Sequence, residues 1–210
     1  MDVHQLRKLF PDLEPELYND MLAYGSLREV KAGDTLLKVG QTIRSTMLIV
    51  EGLVKLYRED DSGKEFFIYY LDPGQACSLS MVCAAKQETS EVLARAVTDS
   101  TLLSIPLDRM EEWMATYKSW YRFVITSYRD RFEELLKTID AIAFTSLDER
   151  LEFYLNQQVG KLGTNLKITH QEIADDLNTS REVVSRLLKK MESAGSVVIH
   201  RNSVQWLEKR

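Results

Sequence analysis

Between Ile168 and Gly195 the chain reads ITHQEIADDLNTSREVVSRLLKKMESAG, and no other stretch constrains the fold as tightly. Thr169 is followed three residues later by Glu172. That is the spacing of a capping box, in which hydroxyl and carboxylate satisfy each other's free backbone N–H groups, so a helix is expected to start there. Ile173, Ala174 and Leu177 form its apolar face. Asn178-Thr179-Ser180 then breaks the pattern with three residues that favour turns and caps. Thr179 and Glu182 repeat the capping spacing, and a second helix follows with Val183, Val184, Leu187, Leu188 and Met191 as its buried stripe. Gly195 stands where a C-terminal glycine stops a helix.

The other face of the second helix carries the chemistry. Arg181, Glu182, Ser185 and Arg186 fall within about one and a half turns, so they share one exposed side. Arg reads guanine O6 and N7 in bidentate fashion, Glu accepts from cytosine N4, and Ser meets a base edge or a phosphate. Any charged helix face also reads as a plain solvated surface. A scaffold helix, a polar turn and a reading set at the second helix's N-terminal end coincide here, which favours DNA. Thr169, His170, Thr179, Ser180 and Arg201 are the expected phosphate contacts, which position a reader without specifying sequence. After Gly195, VVIHRNSVQWLE reads as a two-stranded wing turning at Arg201-Asn202-Ser203, so Arg201 as a simple turn residue stays equally open.

On these residues, Ile168 to Leu207 resembles the winged helix-turn-helix of the Crp/Fnr family of bacterial transcription regulators. Glu182-Val183-Val184-Ser185-Arg186 is similar to one of that family's reading sets, E-x-x-S-R. The resemblance implies double-stranded DNA with pseudo-palindromic half-sites of TGA type. Arg181 resembles the extra base-reading arginine of the catabolite activator branch.

The net charge of −5 sits oddly with DNA binding until the chain is split. From Asn165 onward there are 8 Lys and Arg against 6 Asp and Glu, a net of +2; the preceding residues carry 19 against 26, a net of −7. Affinity must come from local placement of charge and from pairing of chains rather than from a basic field. No apolar run reaches the roughly 18 residues of a membrane span, and the N-terminus, MDVHQLRKLFPDLEPELY, lacks the apolar region of a secretory signal. A cytoplasmic protein is expected.

The remaining chain divides by period. Leu6, Leu9, Phe10, Leu13, Leu17 and Leu22 predict short helices interrupted by Pro11 and Pro15. From Leu27 to Pro106 short β-type runs alternate with Gly, Asp, Ser and Pro, with a hairpin loop at Asp60-Asp61-Ser62-Gly63. Such spacing suggests an antiparallel barrel or jelly roll. The spacing of Gly33, Gly40, Gly52, Gly63 and Gly74 resembles the family's cyclic-nucleotide-binding β-roll.

From about Leu107 to Phe144 the pattern is helical. Tyr121, Ile125, Tyr128, Phe132, Leu135, Ile139 and Ile142 alternate steps of four and three, an a/d seam. Packing on its own barrel is one use of such a seam; its regularity favours pairing of two chains, and the resemblance implies a parallel homodimer. Ser146 and Glu149 then open a further helix, placing the hinge between sensor and reader near Phe144 to Ser146. The expected fold is α+β: an antiparallel β-roll (double-stranded β-helix) with N-terminal helices over 1–106, a dimerisation helix over 107–144, and a winged helix-turn-helix over 145–210.

Within the roll, the effector pocket is expected around Cys77, Ser78, Leu79, Ser80, Thr89 and Ser90. In cyclic-AMP-binding relatives a Glu holds the ribose and an Arg the cyclic phosphate. Here Leu79 falls at the first place and Thr89 at the second, which disfavours cyclic AMP. The first 30 residues contain no Cys, which disfavours an iron–sulfur cluster. Cys77 and Cys83 offer too few thiolates for a metal site unless another chain contributes, and six residues apart they are a poor disulfide pair. An apolar or small anionic effector remains, or none, in which case the barrel serves only to dimerise. A cupin-type enzyme needs several His in the barrel, and none lies between His4 and His170. RNA polymerase is the further partner that a regulator would meet.

Overall fold

The computed structural model describes residues 1–60, 63, 65–78, 81, 89–144 and 146–207, and the backbone alone at 138 and 140–144. Its elements are α1 (Val3–Leu9), α2 (Pro15–Tyr24), β1 (Ser26–Val30), β2 (Thr35–Leu37), β3 (Ser45–Glu51), β4 (Val54–Glu59), β5 (Glu65–Leu71), β6 (Val92–Ala96) and β7 (Ser100–Pro106). They continue with α3 (Leu107–Thr116), α4 (Lys118–Phe144), α5 (Leu147–Leu162), β8 (Asn165–Leu166), α6 (His170–Asp176), α7 (Arg181–Ser193), β9 (Val197–His200) and β10 (Ser203–Trp206). By its contacts the chain forms two compact units, Met1–Glu59 with Ile68–Leu135, and Asp60–Phe67 with Leu136–Arg210. This is an α+β protein of helices and antiparallel sheets. Among the described residues no helix is long and apolar enough to cross a membrane.

The first unit is a β-roll. One sheet runs β1-β7-β3 and the other β2-β6-β4-β5, with antiparallel pairing between β1 and β7, β3 and β7, β2 and β6, and β4 and β6. Alternate residues point inward, as the two-residue period of a strand requires. Val54, Leu56, Tyr69, Leu71, Val92, Ala94 and Ala96 meet Cys77 and Leu102 in one buried core. A second core fixes the helices to the sheet. Trp113 lies edge-on to Trp120, which stacks on Phe123, and Phe10 meets Phe123 edge-on, all at 5.4–5.6 Å between ring centres. Leu48, Leu103 and Ile105 line this core from the sheet side.

The helical pattern from Leu107 to Phe144 predicts one helix, but the chain breaks it at Tyr117, whose ψ of 112° is extended. The reason lies a hundred residues away. Ser119 donates from its N–H and its hydroxyl to the Glu14 carboxylate at 3.2 and 2.7 Å, and accepts from the Glu14 N–H at 3.0 Å. This reciprocal cap, supplied by the residue preceding α2, satisfies one free N–H at the start of α4 and one at the start of α2. It also holds the Glu14 carboxyl below its ordinary range. Tyr117 donates its hydroxyl to Asp20 at 2.9 Å, and that bond pushes the phenol up to about 12.

The second unit packs α5, α6 and α7 on the small sheet β8-β10-β9. Ser146 caps α5 through the box with Glu149. Leu151, Leu155, Ile173, Ala174, Val184, Leu188, Val197 and Val204 form its core.

Candidate nucleic-acid interface

The helix pair around Asn178 is built as a rigid corner. Thr169 caps α6 by the box with Glu172. The chain then turns through Asn178, the one described non-glycine residue with positive φ, at 52°. Asn tolerates this left-handed conformation better than other side chains do. Arg150 donates to the Leu177 carbonyl at 2.9 Å, and Tyr154 donates to the buried Asp176 carboxylate at 2.5 Å, so α5 braces the corner. The capping of the next helix differs from the spacing argument. Ser180, not Thr179, is the N-cap of α7, accepting from the Val183 N–H at 3.3 Å. Thr179 is used otherwise: its N–H donates to the Ala174 carbonyl at 2.9 Å and closes the turn.

From that start, α7 buries Val184, Leu187 and Leu188 and leaves Arg181, Glu182 and Arg186 exposed on the other side. Arg181, Glu182, Ser185, Arg186 and Lys189 line one open depression of about 560 Å³. Lys189 is an addition; its spacing of four from Ser185 was the available signal. Glu182 is held below its ordinary carboxyl range by its own backbone N–H and then by the Ser180 hydroxyl, so it faces solvent as an ionised acceptor. The surface thus offers three cationic donors and one anionic acceptor.

Ser185 is half-buried, and its Oγ lies 2.8 Å from Nδ1 of His170. Sequence reasoning placed these two residues as separate DNA contacts and missed their pairing, because it joins residues on different helices. Burial, and then the nearby Arg181, hold the His170 ring below its ordinary value, so it is neutral at pH 7. Thr169 and Ser180 spend their hydroxyls on capping. Arg201 is exposed at the β9–β10 turn. Lys190 pairs with Asp148 instead.

The seam and the roll distribute as follows. Tyr121, Ile125, Phe132, Leu135 and Ile139 are 41–62% exposed in the single chain, as is Leu136, which the heptad reading passed over. Tyr128 is half-buried, and its hydroxyl donates to the Ser78 carbonyl at 2.8 Å. The Ile142 side chain, Leu79, Ser80 and Cys83 lie outside the described residues. Cys77 and Ser78 are buried. Thr89 is exposed in a bridge to Thr42, and the buried Ser90 bonds to Val92. Among the described residues no group of His, Cys, Asp and Glu is placed to hold a metal ion.

Comparison with known proteins gives two family matches. Residues 27–117 match the cyclic nucleotide-binding domain, and residues 147–208 the Crp-like helix-turn-helix domain. The chain is 27% identical to the cAMP-activated global transcriptional regulator Vfr of Pseudomonas aeruginosa, over 84% of this chain and 87% of that one. It is 26% identical to the cyclic AMP receptor protein of Thermus thermophilus, over 94% and 91% respectively. Among solved structures, a transcriptional regulator of the Crp/Fnr family from Eubacterium rectale superposes with a TM-score of 0.83 at 26% identity, covering 95% of this chain and 93% of that one.

Proposed function

Because the chain belongs to the Crp/Fnr family of transcription regulators, we propose that two copies pair along α4 and present two α7 helices to successive major grooves of a pseudo-palindromic duplex. Half-sites of TGA type then lie about one turn, roughly 34 Å, apart. Arg181, Glu182 and Arg186 read base edges. Ser185, oriented by His170, assists. Thr169, Thr179, Ser180 and Arg201 approach phosphates, Arg201 through its charge. Tyr121, Ile125, Tyr128, Phe132, Leu135, Ile139 and Ile142 form the dimer seam. Residues 1–106 are the sensor, 107–144 the dimerisation segment and 145–210 the reader, working in the cytoplasm and acting on transcription by recruiting or blocking RNA polymerase.

The observation that carries this reading is the exposed set Arg181, Glu182, Arg186 and Lys189 on a helix whose opposite side is buried. A footprint on genomic DNA, followed by gel shifts on the recovered palindrome, tests it. Glu182→Ala should relax base preference at one position of each half-site, by roughly 1–3 kcal/mol. Equal binding of native and shuffled palindromes by the unaltered protein would sink it.

The roll is the sensor in this reading. Ligand binding shifts the long helices only so far as the ligand prefers one arrangement. Cyclic AMP is the second reading, since two relatives are named for it. Leu79 and Thr89 stand where its ribose and phosphate partners are expected, so addition of cyclic AMP should leave operator affinity unchanged. Members of this family are regulators rather than enzymes, and the cupin alternative falls away.

A further inference from the structure

Ser185 differs from its neighbours on the α7 surface in where its hydroxyl is held. A serine or threonine inside a helix commonly turns its hydroxyl back to the carbonyl four residues earlier. Thr116 of α3 does this, donating to the Glu112 carbonyl at 2.9 Å. Ser185 reaches across to α6 instead, and among the described residues Nδ1 of His170, at 2.8 Å, is the one hydrogen-bond partner of its Oγ. Burial and the Arg181 cation keep the ring neutral at pH 7. A neutral imidazole donates from one nitrogen and accepts at the other. With the ring proton on Nδ1, the Ser185 hydroxyl hydrogen would have no acceptor among the described residues. With that proton on Nε2, Nδ1 takes the hydroxyl hydrogen and one bond serves both groups.

The choice sets what Ser185 shows to a duplex. A hydroxyl carries one donor and two lone pairs. Once its hydrogen is spent on Nδ1, only lone pairs remain for the groove. Arg181 and Lys189 stand one turn before and one turn after Ser185, and all three line the open depression on α7. Both neighbours only donate. Ser185 is then a neutral acceptor between two cationic donors. In the major groove adenine N6 and cytosine N4 are donors, whereas thymine O4 and guanine O6 are acceptors.

We propose that His170 is a specificity-determining residue of the reader: by holding the Ser185 hydroxyl hydrogen at Nδ1 it makes Ser185 an acceptor only, which selects an adenine or cytosine amino group and rejects thymine and guanine at that place. This rests on the reading of α7 as the base-reading helix, and adds to it the class of base that one position takes. His170 acts through Ser185 as a positioning residue and needs no contact of its own with a base.

The experiment uses the full chain and the palindrome recovered by footprinting, with all four bases tried in turn at each half-site position. In the unaltered protein one position should favour adenine or cytosine by about tenfold, and Ser185→Ala should lose that preference. His170→Leu, which fills space without an acceptor, should lose it too, while the ranking at the other positions stays. His170→Asn should restore it, since the amide oxygen can stand in for Nδ1. In the Ser185→Ala background, His170→Leu should cost nothing more at this position. Ring-nitrogen NMR on the unaltered protein should show Nε2 protonated and Nδ1 bare, a measurement that needs no variant to fold. A proton on Nδ1, a preference for thymine or guanine at the Ser185-dependent position, or a His170→Leu protein that binds every palindrome more weakly with its ranking intact each overturns the role of His170. A protein that ranks no palindrome above another removes base reading itself and this inference with it, whereas a ranking that Ser185→Ala leaves untouched removes only this inference.

Discussion

Gly52, in the turn between β3 and β4, has a φ of 90°, where a side chain is strained whatever the space around it. Space is lacking as well: a Cβ there would lie 2.6 Å from the Asp99 carbonyl oxygen and would collide with Ser100. Gly52→Ala should therefore lower unfolding free energy by about 2 kcal/mol or more in urea denaturation. His170 gives a prediction of opposite visibility, silent in a melt at pH 7 and clear on titration. Its folded pKa is depressed by burial and by Arg181, so the unfolded chain binds its proton more readily. Stability from this residue is complete above the ordinary value of 6.5 and is lost as pH falls through 6.5 toward the folded value. An NMR titration should place the His170 midpoint below 6.5, and Ser185→Ala should alter that midpoint because it removes the partner at Nδ1. A midpoint at or above 6.5 would refute the burial argument.

At the level of elements, the start of α7 separates what the sequence shows from what it hides. Two overlapping cap spacings are written there, Thr179 to Glu182 and Ser180 to Val183. The choice between them is made by the tertiary turn, in which the Thr179 N–H is already committed to Ala174. Ser180→Ala should thus destabilise the second unit by about 1 kcal/mol, and Thr179→Ala by less, measured by thermal unfolding. The reverse order would favour the spacing argument over the geometry. Where pattern is local, it was legible: Thr169 with Glu172, Ser146 with Glu149, and the stripe Val184, Leu187, Leu188 all read directly from period and cap chemistry. The exposure of Arg181, Glu182 and Arg186 followed from the same stripe, since a buried side defines its opposite. What stayed hidden joins distant parts of the chain. The break at Tyr117 depends on Glu14 and Asp20, the His170–Ser185 pair spans two helices, and Arg131 on α4 reaches the Tyr70 carbonyl of β5. Heptad counting gave Tyr128 the same place as its neighbours on the stripe and could not show that its hydroxyl also holds the Ser78 carbonyl of its own unit.

For the whole molecule, the distribution of charge bears on the proposed pairing. The net of −5 repels a duplex at long range, and the +2 carried from Asn165 onward is too small to hold one reader alone. Two linked readers gain affinity because the second engagement is intramolecular. The exposed Ile125, Phe132, Leu135 and Ile139 are an apolar stripe on one helix that a monomer would leave in water. Phe132→Glu places a carboxylate at the most exposed position of that stripe, and two copies facing each other across a pair would repel. The α7 surface is untouched by this change. Sedimentation should therefore show a monomer whose circular dichroism is unchanged, and whose operator affinity has fallen at least a hundredfold. Linking two Phe132→Glu chains by a flexible tether should restore part of that affinity, because it supplies proximity without repairing the seam. An untethered Phe132→Glu monomer that still bound the palindrome with full affinity would show that one α7 suffices, and the pairing of readers would have to be abandoned.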